Sequence, residues 1–169
     1  MKKVEVKDLK DNFFDAISKE WMLIGAGTKD KFNMMTASWG GIGFLWNKPV
    51  AFIFVRHERY TFQFVEDNES LTISFLKEGN RKIYNLCGSK SGRDIDKVKE
   101  TGLKPLISDK GNVMFEQSRL TFECRKLYAD EIKPECFLDK ESISKWYGGS
   151  HGGFHRMYVV EIENVWEGE

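Results

Sequence analysis

Apolar residues along the chain fall into short runs broken by glycine-rich and polar segments, a pattern that predicts strands more than long helices. Two runs, Met34 to Trp39 and Val50 to Val55, are rich in aromatic and β-branched residues and read as buried strands. Between them Gly40, Gly41, Gly43, Trp46, Asn47 and Pro49 read as a loop suited to close backbone approach. Trp21 to Ala26 and Leu71 to Phe75 are further strands, the first leading through Gly27, Thr28 and Asp30 into a turn. Leu120, Phe122 and Cys124 alternate cleanly with Thr121 and Glu123, and Tyr158, Val160 and Ile162 share one face of a final strand.

Helical spacing is rarer. Leu9, Phe13, Ala16 and Ile17 predict a short amphipathic helix over 8–19. Asn80 is placed to cap a helix whose Ile83, Leu86 and Cys87 share a face and which Gly88 ends. Asp94 is placed to cap another, with Ile95 and Val98 inward and Gly102 and Pro105 as its stop. Residues 58–67 fit both patterns: Tyr60, Phe62 and Phe64 alternate, while Phe62 and Val65 suit a helix. Many short strands with few short helices predict an antiparallel barrel with added helices. No G-x-G-x-x-G or P-loop occurs, so a Rossmann or P-loop domain is not expected.

Composition narrows the classes of function. At 169 residues the chain suffices for one domain with a core, and 41 % apolar residues exclude a disordered chain. Thirteen Phe and five Trp call for a large core, a ligand site or a subunit interface. With 26 basic and 26 acidic side chains the net charge is zero, which argues against a general nucleic-acid or membrane-surface binder. Cys87, Cys124 and Cys136 are odd in number, widely spaced and without a C-x-x-C, so neither a zinc site nor a redox dithiol is expected. Without a signal peptide or a run of transmembrane length, they fit a reducing cytoplasm.

Candidate chemistry gathers at two places. Thr36 and Ser38 close the first apolar strand, and Arg56, Arg59 and Thr61 follow the second. Hydroxyls and cations beside an apolar surface suit a ligand with a flat ring and an anionic tail. The plainer reading is a β-hairpin with ordinary surface arginines. The second place is C-G-S-K-S-G-R-D at 87–94, whose glycines, Ser89, Ser91, Lys90 and Arg93 form a phosphate cradle, or else a solvated loop between helices. His57 reads as a surface residue at a helix start. His151 and His155 flank the glycines of a loop, where a substrate-contacting histidine is an option. No metal-ligand spacing, paired-carboxylate site or G-x-S-x-G elbow stands out.

Four stretches in order, M-T-A-S-W-G-G-I-G-F-L-W-N-K-P-V, V-R-H-E-R-Y-T, S-G-R-D-I-D-K and F-H-R-M-Y-V-V-E-I, resemble the flavin reductase-like family, close to its flavoredoxin branch. The resemblance runs from about Trp21 to Trp166. It implies one FMN-binding domain over residues 1–169, mainly β, folded as an antiparallel split β-barrel and paired as a homodimer. It favours the helical reading of 58–67. Carried over, Met35, Thr36, Ala37, Ser38 and Trp39 line the isoalloxazine and ribityl chain. Arg56, Arg59, Tyr60 and Thr61 continue toward the phosphate, and Ser89, Lys90, Ser91 and Arg93 add phosphate contacts. His155, before the last strand, brings a polar group toward flavin or nicotinamide and is the one catalytic candidate. Hydride transfer between two cofactor rings asks no acid or base of the protein, which accounts for the absence of a catalytic triad. Two functions stay open: an NADH- or NADPH-dependent flavin reductase, and an FMN electron carrier reduced by a protein partner.

Overall fold

The computed structural model describes residues 1–168. In chain order the strands are β1 (Lys2–Val4), β2 (Met22–Gly27), β3 (Phe32–Ala37), β4 (Gly40–Leu45), β5 (Lys48–Arg56), β6 (Ser70–Leu76), β7 (Pro105–Ile107), β8 (Val113–Phe115), β9 (Ser118–Glu131) and β10 (His155–Glu167). The helices are α1 (Phe13–Asp15), α2 (Thr61–Asp67), α3 (Arg81–Ser89), α4 (Lys97–Thr101) and α5 (Glu141–Trp146). The main sheet is antiparallel and runs β3-β2-β6-β9-β10-β5-β4, while β7 and β8 form a separate pair. This is the expected antiparallel barrel with added helices.

β10 explains the split. It pairs with β9 along nearly its whole length, with register shifts between Val159 and Val160 and between Ile162 and Asn164. Its first half also pairs with β5, from His155 opposite Arg56 to Glu161 opposite Val50, whereas its last residues pair with β1. Bulges bend a strand and increase its twist, so one strand serves two ladders that diverge. The alternation seen at 120–124 and 158–162 points Leu120, Phe122, Cys124, Tyr158, Val160 and Ile162 into one core with Ile24, Ile73 and Phe75.

A second core forms where α3 covers the sheet, from Leu23, Met34, Leu76, Ile83, Tyr84, Cys87, Val113 and Phe115. β2 and β6 lie between the two cores and are covered on both faces. That is why Trp21 to Ala26 reads as an unbroken apolar run, while in Leu71 to Phe75 the alternating Thr72 and Ser74 are buried too, Thr72 donating to the Val113 carbonyl at 2.7 Å and Ser74 sharing a hydrogen bond with Thr121 at 3.0 Å.

Several boundaries differ from the sequence expectation, each for a local reason. Gly40–Leu45 is a strand, not a loop, and its turn is the pair Trp46–Asn47 with φ of 51° and 57°. Two successive left-handed residues make the two-residue hairpin turn whose twist suits antiparallel strands. β5 therefore pairs with β4, while Met34 to Ala37 pairs with β2, so the two apolar runs do not form one hairpin. The amphipathic segment at 8–19 is broken. Asn12 caps α1 by accepting from the Phe14 amide at 3.2 Å, a π-helical turn follows over Ala16–Glu20, and Trp21 at φ 76° ends it. Asp96, rather than Asp94, caps α4, accepting from the Lys99 amide at 3.1 Å. Gly88 lies inside the last turn of α3 instead of ending it. Residues 58–67 do contain a helix, α2, which buries Thr61, Phe64 and Val65. Among the described residues no helix is long and apolar enough to cross a membrane.

Candidate functional site

β3 and β5 lie on opposite arms of the sheet, yet their C-terminal ends meet across a cleft. Met35, Thr36, Ala37, Ser38 and Trp39 form one wall, and Phe54, Arg56, Arg59 and His155 the other, around about 190 Å³. His155 reaches the cleft because it pairs with Arg56 at the first rung of the β10–β5 ladder. Eight of these nine residues were singled out from the sequence. Phe54 was not, although its place on β5, two residues before Arg56, was its available signal.

Thr36 donates its hydroxyl to the Tyr84 carbonyl at 2.6 Å, which keeps its lone pairs available to a ligand donor. Gly88 packs against it: a Cβ there would lie 3.4 Å from the Thr36 Cβ, so a branched side chain at 88 would push Thr36 toward the cleft. Arg59 donates to the Cys87 carbonyl at 3.0 Å, tying the end of α3 to the cleft, and burial lowers its pKa. Lys97, not anticipated, completes this seam. Its buried ammonium donates to the carbonyls of Met34 at 2.8 Å and Cys87 at 3.1 Å, and burial brings its pKa down to about 8. It gives the outer edge of β3 a hydrogen-bond partner.

Arg56 is engaged on the other side. It donates to the carbonyls of Gly153 and, at 3.0 Å, Trp146, and its guanidinium lies 5.2 Å from the Tyr147 ring. Glu58 accepts from the Gly153 amide at 3.0 Å. Both therefore hold the 132–154 segment, with α5, against the mouth of the cleft. Gly152, at φ 87°, permits this approach, since a Cβ there would collide with the Glu58 carboxylate. His155 is 7 % exposed, and burial first, then the Arg56 charge, lower its pKa from 6.5 to about 4. It is thus neutral at pH 7, with Nδ1 sharing a hydrogen bond of 3.1 Å with the Tyr147 hydroxyl.

The remaining sequence candidates lie outside this wall. Thr61 is buried, and its hydroxyl accepts from Asn33 at 2.8 Å. Tyr60 packs edge-on to Phe64 and carries the Arg93 guanidinium 4.7 Å from its ring. Ser89 donates to the Asn85 carbonyl at 2.8 Å, and Ser91 accepts from the Arg93 amide at 3.1 Å. Lys90 is exposed and forms no ion pair among the described residues. His57 is a surface residue paired with Glu131 at 2.8 Å. Cys87 and Cys124 are buried, as small apolar residues are, and Cys136 is exposed.

Comparison with solved structures finds the same architecture in several proteins. The flavoredoxin of Methanosarcina acetivorans superposes with a TM-score of 0.68 at 21 % identity, over 100 % of this chain and 77 % of that one. The flavoredoxin of Desulfovibrio vulgaris gives 0.68 at 19 % identity, over 100 % and 78 %. An NADH:FAD oxidoreductase of Streptomyces globisporus, solved with NAD and FAD fragments, gives 0.62 at 15 % identity, over 88 % and 74 %. No curated protein sequence matches. The model of the flavin reductase like domain matches residues 14–169, nearly the whole chain with the cleft inside it, and the chain belongs to the flavin reductase-like family.

Proposed function

We propose that the protein binds FMN at the cleft between the ends of β3 and β5 and catalyses reduction of flavin by NADH or NADPH. The observation that carries the reading is the cleft's composition. An apolar strand end with two hydroxyls faces two guanidiniums and a neutral imidazole, which is the donor set a flat ring with an anionic tail requires. Beyond Trp39 the cleft adjoins apolar grooves of about 340 and 370 Å³, so the room available exceeds the cleft itself. FMN would supply the hydride chemistry.

The chain's own contributions follow from its contacts. Met35 to Ala37 and Trp39 offer apolar surface for the ring. Arg59 keeps donors beyond the one given to Cys87, and Arg56 adds charge at the far wall. In the 89–93 loop the serines and Arg93 are engaged internally, which leaves Lys90 as the side chain open to the phosphate. His155 stays neutral and presents a hydrogen bond at the cleft without adding charge. A second reading, an FMN carrier reduced by a protein partner, draws on Trp39 and Trp146, 41 % and 40 % exposed at the cleft mouth, where a partner could dock.

Titration with FMN and riboflavin tests the site. Losing one charge-assisted contact costs about 1.5–3 kcal/mol, so Arg59→Ala is expected to weaken FMN about ten- to a hundredfold. Lys90→Ala, at a more exposed position, is expected to act in the same direction but less strongly. Riboflavin affinity should barely change in either. Unchanged FMN affinity in both variants would place the phosphate elsewhere. Anaerobic mixing with NADH or NADPH separates the two functions: flavin bleaching supports the reductase, and no bleaching with either supports the carrier.

A further inference from the structure

Beside the start of α3, and sharing no wall residue with the flavin cleft, lies a cavity of about 470 Å³. Leu76 and Tyr84 supply apolar surface, and Glu20, Arg81 and Arg119 supply charge. Tyr84 touches both regions by its two ends. Its carbonyl accepts from Thr36 in the cleft wall, while its hydroxyl lies among the charges of this cavity. We propose that the cavity binds a small monocarboxylate, held by the outer edge of the Arg81 guanidinium and by the Tyr84 hydroxyl proton.

Two sets of donors are unspent. Tyr84 is 4 % exposed, and its hydroxyl accepts from the Leu76 amide at 2.7 Å but gives its own proton to no acceptor among the described residues. Burial raises its pKa to about 12, with Glu20 adding to the rise and the Arg119 and Arg81 charges opposing it. The proton therefore stays in place at neutral pH. Arg81 lies 3.4 Å from the Trp21 ring centre and uses Nη1 for the carbonyls of Lys19 at 2.8 Å and Glu20 at 3.2 Å. Its Nε and Nη2 hydrogens, the edge that meets a carboxylate as a two-pronged fork, have no partner among the described residues. The ring and the two carbonyls hold that edge in position before a ligand arrives.

The other charges of the wall select the class of ligand. Arg119 is already engaged, with Nε and Nη2 each 2.8 Å from a Glu20 oxygen and Nη1 donating to Asp11 at 2.6 Å. A cation would find Glu20 taken by Arg119 and Arg81 at its side. A phosphate monoester would bring a second negative charge beside Glu20 and Glu78. A neutral amide would form its hydrogen bonds without charge assistance. A single carboxylate satisfies both the fork and the hydroxyl proton, and its apolar remainder can cover Leu76.

The test is an NMR titration of nitrogen-labelled protein with benzoate, with and without FMN, reading the backbone amides of Gly79, Asn80 and Ala37. Benzoate is expected to shift Gly79 and Asn80, to leave Ala37 in place, and to bind about tenfold more tightly than benzamide, the lower end for one charge-assisted hydrogen bond. Phenyl phosphate and benzylamine should bind more weakly than benzoate. Arg81→Gln, at an exposed position, should erase the preference over benzamide, and Arg81→Lys should restore only part of it. Tyr84→Phe should weaken benzoate about fivefold, the value of one neutral hydrogen bond, and the Arg81 variants decide the matter should that buried change cost the protein its cooperative thermal transition. No shift of Gly79 and Asn80 at millimolar benzoate, including because a second copy covers the cavity, overturns the proposal. Equal binding of benzamide, tighter binding of phenyl phosphate, or an unchanged preference in Arg81→Gln does so too. A shift confined to Ala37 puts benzoate in the flavin cleft and equally overturns it, as does displacement of benzoate by FMN at matched concentration. Benzoate binding where FMN fails supports this inference while removing the FMN reading, and benzoate failing where FMN binds overturns this inference alone.

Discussion

At His155 the burial that seats the ring beside the cleft also removes its charge. Its pKa in the folded chain is about 4, against an ordinary 6.5. Between those values the unfolded chain binds a proton that the native state refuses. Stability therefore rises with pH across this window and is lost as pH falls through it, by roughly 3 kcal/mol in full. His155→Phe keeps a ring and has nothing to protonate. Urea midpoints at either end of the window should converge in that variant and differ in the parent, and an equal acid loss in both would show that the imidazole is solvated. The glycine and histidine pattern of 148–155 marked this ring as a loop residue. Its place at the first rung of β10, opposite Arg56, followed only from the long-range pairing. In the same way, the pair Arg56 and Arg59 was visible as charge after a strand. That Arg56 turns to the carbonyls of the 132–154 segment while Arg59 turns to α3 depends on what packs beside each.

The elements that matter to the cleft are short, and their ends set its shape. α3 closes on Thr36 through Gly88, whose exposure permits a side chain but whose neighbour limits its size. Gly88→Ala places a Cβ in ordinary contact and improves helix propensity, so it should stabilise by up to about 1 kcal/mol with flavin affinity kept. Gly88→Val adds methyls where Thr36 stands and should weaken flavin roughly tenfold, about 1.4 kcal/mol. Thermal melts and flavin titrations of the two variants check this, and equal flavin affinity in both would separate Thr36 from the ring. β4 teaches a different lesson. Three glycines between apolar runs look like a loop, because the sequence carries no mark of the edge strand that β5 supports from one side. Trp46 takes the left-handed turn position, and its ring rests edge-on near Tyr128 at 6.4 Å, a tertiary contact that outweighs local preference.

Over the whole molecule the apolar surplus is uneven. Phe14 is 89 % exposed, Phe44 70 % and Trp46 56 %, the last two at the tip of the β4–β5 hairpin, and an apolar groove beside Phe14 leads to Trp39. We expect a homodimer that covers part of this surface. Light scattering should give twice the chain mass, and Phe44→Lys should shift the balance toward monomer; a monomer mass at micromolar concentration in the parent would count against it. The sequence by itself determined the fold class, the strands at Trp21 to Ala26 and Leu71 to Phe75, and most of the cleft. Those features are written in local periodicity, in the residues that end strands, and in four ordered motifs. Only the tertiary structure decided which polar groups meet. Thr61, Ser89 and Ser91 carry the right chemistry but bond inward, whereas Phe54, Lys97 and Tyr147 carry no motif and stand at or beside the cleft. A side chain's type is local information. Its direction and partners depend on strands brought together from distant parts of the chain, and only the folded chain brings β3, β5, α3 and β10 to one place.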